Sequence, residues 1–174
     1  MDDLDRIAQD VETPEAREST RTADIMAHEV RELVRRRPTT VSPDTALTVI
    51  LETMVREGIG CVLVTEGGQL VGILTERDVL LKVTAVGRSS AGLHARDLMT
   101  ADPETLHPDQ MVATALNRMS VGGYRHVPVV DDRGAPVGVV SVKDIVRLIV
   151  DHFPHEVLTQ PPAGVPPFRS ADGA

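Results

Sequence analysis

The sequence predicts a mixed α/β (α+β) fold, with two tandem β-α-β-β-α repeats packed as a pseudo-two-fold pair. Self-similarity leads there first, because a fixed internal period marks a duplicated supersecondary unit. Residues 30–68 align without gaps to residues 95–133 at an offset of 65, and the offset becomes 66 for 71–78 against 137–144. Arg31 matches Arg96, Leu33 matches Leu98, Pro43 matches Pro108 and Asp44 matches Asp109. Gly58 with Gly123, Gly72 with Gly138 and Asp78 with Asp144 continue the series. The second observation is a helical spacing of apolar residues in each copy, at Leu47, Ile50, Leu51, Met54 and at Val112, Ala115, Leu116, Met119. The third is a pair of β-branched runs separated by turn residues.

Each copy opens with a short extended segment after a proline, Thr40-Val41 and Thr105-Leu106. A helix is expected to begin at Pro43 and at Pro108, since proline's missing N–H is harmless at the first helical position. Ser42 would cap the first helix, and His107 holds the weaker cap of the second. Gly58 and Gly123 suit left-handed residues that end these helices. Hairpins follow. Strands 62–65 and 70–74 flank Glu66-Gly67-Gly68-Gln69, and strands 127–130 and 136–140 flank Asp131-Asp132-Arg133-Gly134. A closing helix runs over 76–83 and over 142–152. One copy of roughly 50 residues buries too little surface to be secure alone, so pairing along the sheets supplies the missing core.

These repeats divide the chain into an acidic extension (1–29), repeat 1 (30–83), a linker (84–94), repeat 2 (95–152) and a proline-rich tail (153–174). Of the net charge of −8, the first thirty residues carry −6. That head reads as a solvated extension, with docking to a basic partner as the other reading. The tail, with Pro154, Pro161, Pro162, Pro166 and Pro167, reads as extended.

Composition narrows the function classes. Tyr124, Phe153 and Phe168 are the only aromatics, so the core is aliphatic and platforms for base stacking are missing. With the acidic balance, this disfavours nucleic acid as a partner. Cys61 is the single cysteine and sits in the apolar run Cys61-Val62-Leu63-Val64, which reads as a small buried residue in a reducing compartment. No run of 18 apolar residues and no signal-peptide pattern occurs, so no membrane association and a cytoplasmic location are expected. Among the histidines only His152-x-x-His155 has suggestive spacing, and Pro154 interrupts it; no metal site is expected. No nucleophile–base pair or phosphate-loop motif is present, so no enzyme is expected.

The motifs Gly72-Ile73-Leu74-Thr75-Glu76-Arg77-Asp78, Gly138-Val139-Val140-Ser141-Val142-Lys143-Asp144 and Tyr124-Arg125-His126-Val127-Pro128 resemble the cystathionine-β-synthase (CBS) domain. Two in tandem look like a Bateman module, here free-standing. The resemblance implies clefts that bind adenosine derivatives, and modules that join as a homodimer.

Thr75 with Asp78, and Ser141 with Asp144, have two readings. As capping boxes they satisfy the amides of a helix start. As the family's motif, the same carboxylate is implied to hold ribose hydroxyls. The resemblance further implies a base pocket at Thr40 and Thr105, and phosphate contacts from Arg77, Lys143, Arg125 and His126. Ordinary strand propensity and solvated first-turn cations are the plain alternatives. Tyr124 can pack on an adenine or simply between helix and strand. Copy 1 has Gly60 and Cys61 where copy 2 has Arg125 and His126, so one competent cleft and one weaker cleft are expected. Arg35-Arg36-Arg37 reads as a solvated helix end.

The resulting expectation is a non-catalytic regulatory module for energy sensing. It would bind AMP, ADP or ATP between the repeats as a regulatory ligand, require no cofactor, and signal to a partner protein. The alternatives are a ligand-free interaction or dimerisation module, and the same fold binding S-adenosylmethionine, NAD or a cyclic dinucleotide.

Overall fold

A helical turn α1 (Val30–Leu33) leads into β1 (Thr40–Val41), helix α2 (Leu47–Glu57) and the hairpin β2 (Cys61–Glu66) and β3 (Gln69–Thr75). Helix α3 (Glu76–Val79) then continues into one wide π-type stretch (Leu80–Thr84). The second copy supplies α4 (Ala95–Leu98), β4 (Thr100–Ala101), α5 (Val112–Gly122), β5 (His126–Val130), β6 (Pro136–Ser141) and α6 (Val142–His152). The computed structural model describes residues 22–154, with a helical stretch over 22–27 before α1. Most of the acidic head and nearly all of the proline-rich tail lie outside the described residues.

The expected hairpins form, each a little longer than the sequence pattern indicates. Gly67 and Gly68 both have positive φ (58° and 84°), which a two-residue hairpin turn matching the strand twist requires. In copy 2 the longer turn is held by Asp131, whose Oδ1 accepts from the amides of Arg133 and Ala135 at 2.9 Å. Both hairpins shift register at equivalent places, after Val64 and after Val129. Gly58 and Gly123 close α2 and α5 in the left-handed region.

The helices expected at Pro43 and Pro108 start four residues later, at Leu47 and Val112. Pro43-Asp44 instead forms a turn closed by the Thr45 amide on the Ser42 carbonyl, at 3.0 Å. The chain then stays extended so that Ala46 can bridge His94, and Leu47 N donates to Leu93 O at 2.8 Å. Gln110 N closes the matching turn on His107 O, and Met111 bridges Glu29. Ser42 therefore caps no helix; its hydroxyl pairs with Thr45. The Thr105-Leu106 segment is reduced to a single parallel bridge, Leu106 to Val129.

These bridges belong to a reciprocal exchange between the copies. Val30 and Leu33 of α1 lie in the core of copy 2, with Val112, Ala115, Val127, Val129, Val140 and Ile145. Ala95 and Leu98 of α4 lie in the core of copy 1, with Leu47, Ile50, Val62, Val64 and Leu74. Arg31 N donates to Pro108 O and Arg96 N to Pro43 O, at 2.9 and 3.0 Å. Arg31 pairs with Asp109 and Arg96 with Asp44. Those ion pairs are exposed and contribute at most about 1 kcal/mol each; the buried apolar side chains hold the exchange.

The sheets follow from it. Strands β1 to β4 make one four-stranded sheet in that order, with β4 of copy 2 antiparallel to β3 of copy 1, while β5 and β6 pair separately. Cys61, Leu63 and Ile73 form a small shared core with Leu70 and Val139 between the two hairpins.

Gly72 and Gly138 lie under the strand-like segments that follow α4 and α1. A Cβ on Gly138 would stand 2.5 Å from Val34 Cγ1 and 2.6 Å from Cγ2, and one on Gly72 would stand 2.5 Å from Met99 Sδ. Val34 is branched and cannot retract, whereas the Met99 thioether is unbranched and can swing aside. Gly138→Ala is therefore expected to cost about 1–3 kcal/mol, more than Gly72→Ala. Urea unfolding of both variants checks the order.

Candidate ligand-binding cleft

Both strand-to-helix turns carry the capping box anticipated from Thr/Ser-x-x-Asp. Thr75 N donates to Asp78 Oδ2 at 2.9 Å, Thr75 Oγ1 donates to the same oxygen at 2.6 Å, and Asp78 N donates back to Thr75 Oγ1 at 3.3 Å. In copy 2, Ser141 N and Oγ donate to Asp144 Oδ2 at 2.9 and 2.5 Å. In each turn one carboxylate oxygen is thus engaged. What happens to the other differs between the copies.

At Asp78, Oδ1 accepts from Lys82 Nζ at 2.7 Å, and Lys82 also donates to Leu98 O at 2.5 Å. Burial opposes ionisation of Asp78, but the Lys82 ammonium and the Thr75 donors outweigh it and hold the carboxyl below its usual range. At Asp144 the position equivalent to Lys82 is Leu148, which packs against the copy 2 core. The Asp144 carboxylate has no ion-pair partner among the described residues.

Asp144 opens into a cleft of about 370 Å³, a size suited to small organic ligands. Its floor and rim are Ser141, Lys143, Asp144 and Arg147 of the α6 start, with His126 and Val139 of the hairpin. Gly58, Ile59, Gly60 and Cys61 come from the α2–β2 turn, and Leu33, Arg35, Arg36, Pro38 and Thr39 from the α1–β1 segment. Four cations, Arg35, Arg36, Lys143 and Arg147, all exposed, thus line the cleft with the Asp144 carboxylate, while Glu76 Oε2 would stand 3.4 Å from a Cβ at Gly60. Arg35 approaches Asp151 at 3.7 Å; Arg36, Lys143 and Arg147 make no ion pair among the described residues. Such a cavity favours anions.

The structure brings His126, Ser141, Lys143 and Asp144 together in this cleft. Thr75, Arg77 and Asp78 stand at the equivalent turn of copy 1. Arg125 is exposed and does not line the cleft, although its carbonyl accepts from Val142 N at 3.1 Å. Thr40 and Thr105 do not line it either. Thr39, one residue earlier, does, with its hydroxyl donating to Glu57 at 2.6 Å. The Tyr124 ring covers the backbone of Gly122 and is 42% exposed. Arg35, Arg36 and Arg147 are the cationic lining residues the sequence reading missed; Arg147 lies one turn beyond Lys143 on α6. Arg35 and Arg36 are solvated, as expected, but they follow α1, which ends at Leu33, rather than closing a helix, and the exchange between copies carries them to the cleft. Their absence from copy 2, where Thr100 and Ala101 stand, was the available signal.

Burial and the Arg125 charge push the His126 imidazole below its ordinary value, against the opposing pull of Glu76 and Asp144. Burial pushes the Cys61 thiol up to about 12. Cys61 therefore stays protonated and has no nucleophilic character at neutral pH.

Residues 30–84 and 95–151 each match the CBS domain. The chain belongs to the CBS-domain family. It is 37% identical over 120 residues to the uncharacterized protein MK0525 of Methanopyrus kandleri, covering 68% of this chain and 61% of that one. It is 35% identical over 112 residues to the mitochondrial CBS domain-containing protein CBSX3 of Arabidopsis thaliana, covering 62% and 54%. The chain thus spans little more than half the length of these relatives.

Among solved structures, the CBS domain of a CBS domain-containing membrane protein from Sphaerobacter thermophilus superposes with a TM-score of 0.66 at 28% identity, covering 77% of this chain and 95% of that one. The CBS domain pair of protein MJ0100, in complex with 5-methylthioadenosine and S-adenosyl-L-methionine, gives 0.66 at 27%, covering 72% and 98%. CBSX2 in complex with AMP, at 23% identity and 0.62, covers 71% and 97% and speaks to the fold alone. No helix among the described residues is long and apolar enough to cross a membrane.

Proposed function

We propose that this CBS pair is a non-catalytic regulatory module that binds a phosphate-bearing adenosine nucleotide, AMP, ADP or ATP, in the Asp144 cleft. The observation that carries the reading is a cleft lined by four cations, three of them without an ion-pair partner among the described residues, together with the Asp144 carboxylate. The carboxylate suits ribose hydroxyls, and Arg36, Lys143 and Arg147 suit phosphate oxygens, which arginine grips with paired donors. The MJ0100 pair supports an adenosine ligand for the fold. Its S-adenosylmethionine carries a sulfonium, which this cationic cleft would repel, so the charge here favours phosphate. His126 adds a ring at the cleft wall.

Signalling to a partner in the cytoplasm, and its use for energy sensing, follow from that reading. A ligand bridging α6 to the segment after α1 biases the angle between the copies, provided it binds one arrangement more tightly. A homodimer is part of the proposal. The inner faces of α2 and α5 are used within the chain, and Val55 (84% exposed) and Val121 (81% exposed) remain on their outer faces.

Calorimetric titration of the full chain with adenosine, AMP, ATP and S-adenosylmethionine tests the ligand. AMP or ATP should bind at least tenfold more tightly than adenosine, and Arg36→Ala and Arg147→Ala should each remove roughly tenfold, as expected for a lost charged hydrogen bond. Equal affinity for adenosine and AMP, or no binding at all, would leave the ligand-free interaction module as the better account.

A further inference from the structure

His28, just before α1, meets His152, the last residue of α6. Their Nε2 atoms are 3.2 Å apart, with ring centroids at 5.0 Å and planes at 74°. The other nitrogen of each ring is committed. His28 Nδ1 faces Glu32 Oε2 at 2.7 Å, and His152 Nδ1 faces the Leu148 carbonyl at 2.9 Å. A carboxylate and a carbonyl only accept, so each Nδ1 must carry the hydrogen. In neutral rings both Nε2 atoms then present lone pairs to each other, and nothing negative or apolar reconciles that arrangement. A proton on one ring or a cation between them would reconcile the two lone pairs.

We propose that His28 and His152 form a binding site for a borderline transition-metal dication of the zinc class. Two nitrogens each about 2.0–2.1 Å from one tetrahedral zinc lie roughly 3.3 Å apart, close to the separation seen. A shared proton prefers an N–H···N angle above about 150° and weakens steeply below about 120°. Nitrogens aimed straight at each other at this distance would hold the centroids farther apart, so the two ring axes meet at an angle. The outer partners fit as well: ligating histidines commonly donate their second N–H to a carboxylate or backbone carbonyl, which fixes the tautomer and raises basicity. Glu32 and Leu148 O occupy those places.

No third ligating side chain stands close enough among the described residues, so water completes the coordination. Arg35, Arg36, Lys143 and Arg147 are elsewhere on the same two walls of the fold, the segment after α1 and helix α6. The metal would therefore tie the entry of α1 to the end of α6, two of the elements that line the anion cleft.

The test uses the full chain, stripped with chelator and titrated calorimetrically with Zn²⁺, and with Co²⁺ followed by its visible absorption. Wild type should show one saturable site and a raised unfolding temperature with metal. His28→Ala and His152→Ala should each weaken it at least tenfold and abolish the thermal shift, and Glu32→Gln should cost about tenfold through the ligand's orientation. His94→Ala and His107→Ala, elsewhere on the surface, should titrate like wild type. Both target rings are only partly buried, and His28→Asn and His152→Asn serve as second variants if an alanine variant unfolds. Wild-type affinity in the His28 and His152 variants would overturn the site. So would nitrogen-15 spectra in which a proton stays on Nε2 with Zn²⁺ present, because the pair would then share a proton only. Nucleotide affinity is measured separately, so failure here leaves the cleft reading standing.

Discussion

Leu98→Ala should destabilise the protein by about 2–5 kcal/mol, although it changes a four-residue helix. The side chain is 1% exposed and packs into the core of copy 1. A cavity there removes contacts with the Leu47, Ile50 and Leu74 cluster, which a short backbone segment cannot close. The exchange makes a sharper claim than the energy alone. Amide hydrogen exchange in the variant should rise most in α2, β2 and β3 of copy 1, while β5, β6 and α6 keep more of their protection. If α4 instead served its own copy, the loss would concentrate in copy 2. Leu33→Ala, the equivalent change in α1, should show the mirror pattern, loosening copy 2 first.

The duplication was legible because the identities it carries are structural. Arg31 with Arg96 and Asp44 with Asp109 are identical pairs because each arginine reaches the aspartate of the other copy. Gly72 and Gly138 recur because Met99 and Val34 cross above them. Offsets in the sequence reveal such matches but not that the partners are swapped. A pairing of Arg31 with Asp109 and one of Arg31 with Asp44 leave the same trace.

The late helix starts were illegible for a related reason. Proline at a first helical position and proline in a turn obey the same φ, and the bridge of Ala46 to His94 decides between them. The cleft followed the same rule. On its α6 side, Ser141, Lys143 and Asp144 lie in one contiguous motif, while Arg147, one turn further on, lies outside it. Arg35 and Arg36, which look like an isolated basic run, reach the cleft only through the exchange of α1. Lys82 was overlooked because its effect is local and negative. It sits one turn beyond Asp78 and occupies the carboxylate.

Asp144→Asn should weaken nucleotide binding by about 1–3 kcal/mol, roughly 5- to 150-fold, the cost of losing a charged acceptor for ribose hydroxyls. Asp78→Asn should leave affinity within about twofold, because Lys82 already holds Asp78 Oδ1. The two variants should separate in stability in the opposite sense. The amide introduced by Asp144→Asn keeps an acceptor for Ser141 N, so the cap survives, whereas Asp78→Asn removes the Lys82 pair as well as a capping charge. Its pH dependence follows from the depressed carboxyl of Asp78. A folded-state value below the unfolded one stabilises fully above the unfolded value of about 3.9, and that contribution is lost as pH falls through the folded value. Asp78→Asn should therefore be less stable than wild type near neutral pH, with the gap closing in acid. Thermal melts from neutral pH down to the acid transition, alongside titrations with AMP and ATP, resolve the two effects. A large affinity loss at Asp78 with none at Asp144 would move the ligand to the other turn and overturn the assignment of the cleft.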